Sequence, residues 1–105
     1  MSKADIQKKV KQFADMVKAK FPVKMIILQK AYPGEENRKD PEIEVAVVVD
    51  ELEDDFIEVK DQLTTMANRI DPHIDIVLIE RKKEDPLGFY DEVRRTGQVI
   101  YQAKD

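Results

Sequence analysis

The apolar positions of the chain change period several times, and each change marks an element. Ile6, Val10, Phe13 and Val17 recur at intervals of four, three and four residues, with Lys on the remaining faces. That spacing draws one apolar stripe along an α-helix. Ser2 and Asp5 form a Ser-x-x-Asp arrangement just ahead of the stripe, which suits the capped first turn of a helix, and Pro22 ends the run. Met25-Ile26-Ile27-Leu28 is too short for a helix and predicts a buried strand. From Ala31 to Pro41, the pairs Pro33-Gly34 and Asp40-Pro41 stand among charged residues, and this stretch predicts a loop.

Glu42 to Val49 predicts the second strand. It starts with strict alternation, Glu-Ile-Glu-Val, and becomes continuously apolar as it enters the core. Asp50 to Asp55 is an acidic turn that also suits a helix N-terminus, where negative charge is favoured. Phe56, Val59, Leu63, Met66, Ala67 and Ile70 then trace a second amphipathic helix, stopped at Asp71-Pro72. His73 to Glu80 predicts a third strand. A charged loop ending in Asp85-Pro86 follows, then a short helix from Phe89 to Arg95, stopped at Thr96-Gly97, and an edge strand from Gln98 to Gln102. The order α-β-β-α-β-α-β, without repeats or low-complexity linkers, predicts an α+β fold with one mixed sheet covered mainly on one face by helices. At 105 residues the chain fits one domain over 1–105, because two autonomous cores would each be marginal.

Composition narrows the function. With no cysteine there is no disulfide frame, zinc-thiolate site or cysteine nucleophile. The formal net charge of −4 argues against nucleic-acid binding driven by phosphate neutralisation. The longest apolar run, Val45 to Val49, is far short of a membrane span, and the N-terminal segment has no apolar core of a secretory signal. A cytoplasmic domain is therefore expected. The charge is also uneven. Residues 1–30 hold eight Lys against two Asp, whereas residues 31–60 hold three basic against eleven acidic groups. The acidic middle reads either as a solvated surface or as a place for a cation or a basic partner.

Three carboxylates carry the candidate chemistry. Residues two apart on a strand point the same way, so Glu42 and Glu44 share a face at the start of the second strand. Asp75 lies between Ile74 and Ile76 near the start of the third strand, and a carboxylate there needs a partner or solvent. If the two strands are neighbours, Glu42, Glu44 and Asp75 converge in the manner of an Mg²⁺ site that shares its ligands with phosphates. The competing reading makes Glu42 and Glu44 the wet face of a half-exposed strand. The single His, His73, follows Pro72 and reads as a turn residue or as a base or ligand; no nucleophile motif accompanies it. Tyr32, beside Pro33-Gly34, is placed to stack on a base.

The arrangement Ile27-Leu28-Gln29-Lys30, Gly34-Glu35, Pro41-Glu42-Ile43-Glu44-Val45-Ala46-Val47-Val48-Val49 and Ile74-Asp75-Ile76-Val77-Leu78 resembles the minimal nucleotidyltransferase (MNT) group of the nucleotidyltransferase-fold family, found in bacteria and archaea. The tail, Phe89 to Val93 and Gly97 to Tyr101, looks like that family's closing helix and strand. By resemblance, Gln29, Lys30 and Gly34 stand where the family holds the triphosphate, and Glu42, Glu44 and Asp75 where it holds Mg²⁺ and performs catalysis. The family pattern has Gly-Ser where this chain has Gln29-Lys30, and Asp-x-Asp where it has Glu42-x-Glu44; only Asp75 matches the third carboxylate unchanged.

These four departures affect both the phosphate-binding and the metal-binding parts. They lead us to expect a pseudoenzyme that acts as an interaction module, antitoxin-like, since many MNT proteins pair with a small helical HEPN-type protein. The alternative expectation is an active Mg²⁺-dependent nucleotidyltransferase that uses ATP or another NTP and moves AMP to a protein acceptor.

Overall fold

The Ser2–Asp5 pair does what its spacing predicts. The Ser2 hydroxyl accepts the Asp5 N–H at 3.1 Å and the Asp5 carboxylate accepts the Ser2 N–H at 3.2 Å, closing a reciprocal cap on α1 (Lys3–Lys20). In the computed structural model, which describes residues 1–35 and 40–104, three helices and four strands follow the expected order. After α1 come β1 (Met25–Tyr32), β2 (Glu42–Val49), α2 (Phe56–Ile70), β3 (Ile74–Glu80), α3 (Phe89–Thr96) and β4 (Gln98–Gln102). The Asp55 carboxylate caps α2 by accepting the Glu58 N–H at 3.1 Å, which explains the acidic turn before it. Among the described residues no helix is long and apolar enough to cross a membrane.

The strands form one mixed sheet in the order β3-β2-β1-β4. β1 pairs antiparallel with β2 and β4, and β2 pairs parallel with β3 through the α2 crossover. The larger core lies on one face. There Ile6, Val10, Phe13 and Val17 of α1 and Val59 and Leu63 of α2 pack on Ile43, Val45, Val47 and Val49 of β2 and their neighbours. Among the described residues the opposite face carries only α3 as a helix, and its Val93 packs with Met25, Ile27, Ala46, Val48 and Ile79.

This asymmetry explains the two-part pattern of β2. Its C-terminal half is covered on both faces and so is continuously apolar, with Ala46, Val47 and Val48 fully buried. Its N-terminal half is covered on one face only, and there Glu42 and Glu44 alternate with the buried Ile43 and Val45. The point where α3 stops therefore divides this face into a dry half and a wet half.

The sequence reading differs from the structure at the end of β1. Ala31 and Tyr32, expected in a loop, continue β1 opposite Ile43 and Glu42. The apolar signal fails beyond Leu28 because this end of the sheet is half-exposed, yet the ladder with β2 continues. Residues 36–39 of the expected loop lie outside the described residues. The third strand begins at Ile74, not His73, and α3 runs to Thr96, whose hydroxyl donates to the Glu92 carbonyl at 2.8 Å.

Gly97 connects α3 to β4 through a close approach. A Cβ there would lie 2.4 Å from both Ile27 Cγ2 and Gln29 Oε1, and 2.9 Å from the Val93 carbonyl oxygen. Backbone cannot yield as a flexible side chain can. Gly97→Ala is therefore expected to destabilise the protein by about 2 kcal/mol, the middle of the overpacking range, in a urea unfolding measurement. An unchanged midpoint would show that Gln29 and Ile27 move aside freely.

Candidate functional site

The candidate residues are brought together by a β-bulge. In the β1–β2 ladder Leu28 pairs with Val45 and Lys30 with Glu44, so Gln29 is an extra residue on β1. Without it, the odd-numbered positions of β1 would keep facing α3 and Lys30 would turn to the other face. The extra residue resets the alternation. Lys30 and Tyr32 thereby join Glu44 and Glu42, their partners across the ladder, on the wet half of the α3 face.

On the other side of β2, the parallel register places Glu44 opposite Asp75. The three strands thus carry the row Lys30, Glu44, Asp75, with the Tyr32–Glu42 pair next to it. The strands are neighbours, so Glu42, Glu44 and Asp75 do share one face. Asp75 answers its sequence context through solvent access: its neighbours Ile74 and Ile76 turn into the core and its own side chain is exposed.

The electrostatics of the row are set by Lys30. Its ammonium lies 3.1 Å from Glu42 Oε2, with both side chains more than half exposed. Mg²⁺ requires nearly octahedral oxygen ligands at about 2.0–2.1 Å. Among the described residues no three His, Asp or Glu side chains come together in a group able to hold a metal ion, and a lysine already sits on one of the carboxylates. The side chains as they stand do not fit Mg²⁺. Burial pushes the Tyr32 phenol above its usual range, helped by a hydrogen bond to Glu35 and by the charges of Glu35 and Glu42. The hydroxyl is thus engaged beside the same row.

Gln29 turns the other way, toward the end of α3. Its Nε2 donates to the Thr96 hydroxyl at 3.3 Å, while its buried Oε1 has no hydrogen-bond partner. The side chain fills the space against Gly97 and so closes the corner between β1 and α3. Gly34 follows β1 with φ = 85°, a left-handed conformation that glycine enters without strain. The structure thus gathers Lys30, Glu42, Glu44 and Asp75 on one face, directs Gln29 under α3, and leaves Gly34 as a turn.

His73 belongs elsewhere. Its Nδ1 lies 2.7 Å from Asp71 Oδ1, and its backbone N–H donates to the same oxygen at 2.8 Å. Asp71 Oδ2 accepts Lys9 Nζ of α1 at 2.7 Å, so His73 is part of a structural tie between α1 and the start of β3. Local periodicity gave no sign of this tie, because Lys9 and Asp71 are 62 residues apart. A separate cleft of about 260 Å³, lined in part by Phe56, Ile79, Phe89 and Tyr90, lies beside the dry half of the face. Phe56 was expected on the buried stripe of α2 but is exposed at the helix start, where it lines this cleft with the exposed Phe89; the apolar pattern of the sequence did not reveal the cleft.

Compared with protein-family models, with curated proteins and with solved structures, the chain matches none of them.

Proposed function

We propose that the chain is a nucleotidyltransferase-fold domain that has lost nucleotidyl transfer and acts as a cytoplasmic interaction module, antitoxin-like in role. The observation that carries this reading is the Lys30–Glu42 ion pair inside the carboxylate row. A catalytic metal site of the resembled family needs its carboxylates free to converge, and here one of them is already neutralised by the chain itself. The Gln29 side chain supports the same reading, since it fills the corner where a Gly-Ser pair leaves room for phosphate. β1 adds a third support: it stays in the β2 ladder through Tyr32, which holds the backbone of residues 30–32 in pairing and away from a ligand. The partner this resemblance implies is a small helical HEPN-type protein.

One observation favours the alternative, an active Mg²⁺-dependent transferase that moves AMP from ATP to a protein acceptor. Glu44 and Asp75 lie side by side in register, with no ion pair among the described residues. An amide NMR titration with ATP, with and without Mg²⁺, separates the two. The expected result is no saturable shift at Gln29–Gly34, Glu42–Glu44 or Asp75 at millimolar ligand. Metal-dependent shifts clustered on those amides would overturn the proposal in favour of the transferase.

A further inference from the structure

We infer that the outer edge of β3 is a docking site for an extended apolar segment of a partner protein, flanked by basic residues and added to the sheet as a further strand. The site lies toward the C-terminal end of β3, away from the carboxylate row. It does not depend on the fold family and is tested without nucleotide or metal.

β3 ends the sheet on one side, and its ladder with β2 fixes which of its backbone groups face outward. The His73 carbonyl accepts the Ile43 N–H at 3.3 Å, and the Arg81 N–H donates to the Val49 carbonyl at 2.8 Å. In a parallel pair alternate residues serve the same neighbour, so the odd-numbered residues of β3 bond to β2. Ile76 and Leu78 therefore turn both backbone groups outward. Glu80 turns out its N–H, while its carbonyl accepts the Lys83 N–H at 3.2 Å. Among the described residues no backbone group pairs with this outward row. The devices that commonly blunt an edge are missing from it: the register with β2 is unbroken, and the strand holds no Pro, Lys or Arg. β4, the other edge, is bulged, because Ile26 pairs with Tyr101 and Ile27 with Val99, leaving Ile100 extra.

The surroundings of the edge decide the occupant. Side chains alternate along β3, so Leu78 belongs to the main core and Ile79 to the α3 side. Both line the cleft of about 260 Å³, together with Phe56 at the start of α2 and Phe89 and Tyr90 at the start of α3. The cleft therefore wraps the end of β3 from both faces, and a strand added there sets consecutive side chains against apolar walls on opposite sides. Phe56 is 41% exposed and Phe89 46%, so both rings gain by leaving water on docking. The Asp85 carboxylate accepts the Phe89 and Tyr90 N–H groups at 2.8 and 3.1 Å, which sets that wall before any partner arrives. The charge around the cleft is acidic. Arg81 is held by Asp50 and Lys83 by Glu80, while Glu51, Glu53, Asp54 and Glu84 stand exposed. That balance favours a basic partner and opposes a second copy of a chain whose own net charge is −4.

The probe is a capped synthetic peptide, Lys-Lys-Val-Ile-Val-Ile-Lys-Lys, titrated into the full chain while amide shifts and hydrogen exchange are followed. The expected result is a saturable shift over Ile76 to Arg81 and at Phe56 and Phe89, with exchange of the Ile76, Leu78 and Glu80 amides slowed about tenfold or more. The same peptide with Glu in place of every Lys is expected to bind at least about tenfold more weakly at low salt. Phe89→Ala, at an exposed position, is expected to weaken the Lys peptide about fivefold. If that variant does not keep the wild-type spectrum, Phe56→Ala is measured in its place and judged by the same criterion. No saturable shift at millimolar peptide, a shift that leaves the three amides exchanging as before, equal affinity for the two peptides, or an unchanged affinity in the folded variant would each overturn the inference. So would a concentration-dependent dimer of the protein alone with those amides protected, because the occupant would then be a second copy. Binding of the Lys peptide alongside Mg²⁺-dependent ATP shifts at the carboxylate row would overturn the reading proposed above and leave the docking edge standing.

Discussion

Asp71→Ala is expected to lower the unfolding free energy by about 3 kcal/mol at pH 7, and this difference should shrink in acid. Asp71 is the C-cap of α2, and its side chain is only 4% exposed. Burial alone would push its carboxyl up. The Lys9 ammonium and the two His73 donors outweigh that and hold the carboxyl down at about 2. An unfolded aspartate titrates near 3.9. Because the folded value is the lower one, the stabilisation is fully present above about pH 4 and is lost as pH falls through about 2. Urea unfolding at pH 7 should therefore separate the two proteins, and at pH 2 the curves should approach each other. Alanine removes the acceptor of the Lys9, His73 N–H and His73 Nδ1 contacts at once, so α1 loses its tie to the turn before β3. A change below about 0.5 kcal/mol at pH 7, the ordinary scatter of surface substitutions, would mean that Lys9 and His73 find water at no cost.

This network also marks what the sequence could and could not convey. The Ser2–Asp5 cap, the α1 stripe and the alternation of Glu42-Ile43-Glu44-Val45 are local patterns, and each became the element it predicts. Even the shift of β2 to continuous apolar residues carried information, since it marks where α3 begins to cover the second face. Contacts that join distant segments leave no such trace. Lys9 looked like any other lysine on a polar helix face, and Asp71 like a helix stop. The bulge was equally silent, because one inserted residue in Leu28-Gln29-Lys30 changes which face Lys30 occupies without changing the apolar pattern. The three carboxylates were visible as residues, and their shared face follows once β2 and β3 are neighbours. The pairing of Glu42 with Lys30 depends on the bulge and so was visible only in the sheet.

The combined variant Gln29→Gly, Lys30→Ser, Glu42→Asp, Glu44→Asp is expected to bind ATP in the presence of Mg²⁺ at least about tenfold more tightly than the wild type, a gain of about 1.4 kcal/mol or more. Each change removes a specific obstruction. Gln29→Gly clears the side chain that fills the corner against Gly97 and Thr96, and it removes a buried amide oxygen that has no hydrogen-bond partner. A glycine is also well suited to the bulge, where the backbone departs from regular strand geometry. Lys30→Ser takes the cation off Glu42 and leaves a small hydroxyl. The two Glu→Asp changes draw each carboxylate back by one methylene, about 1.5 Å, toward rigid strand backbone. A metal that demands near-octahedral geometry is sensitive to that distance. Lys30→Ser also gives up a positive charge that could meet a phosphate, so the changes oppose one another in part. The expected gain rests on the metal–phosphate pair contributing more than one exposed lysine does. Lys30, Glu42 and Glu44 lie on the ladder of β1 and β2 at the wet end of the sheet, Gln29 is the bulge residue beside it, and the main core lies beneath the opposite face, so the protein should remain folded. The measurement is an ATP titration followed by amide shifts, with Mg²⁺ as the variable. If the folded variant gains no affinity, the carboxylate face is not a nucleotide site and the proposed fold family loses its support there. If the folded variant gains affinity only with Mg²⁺ present, the result supports the proposed nucleotidyltransferase-type site on the carboxylate face.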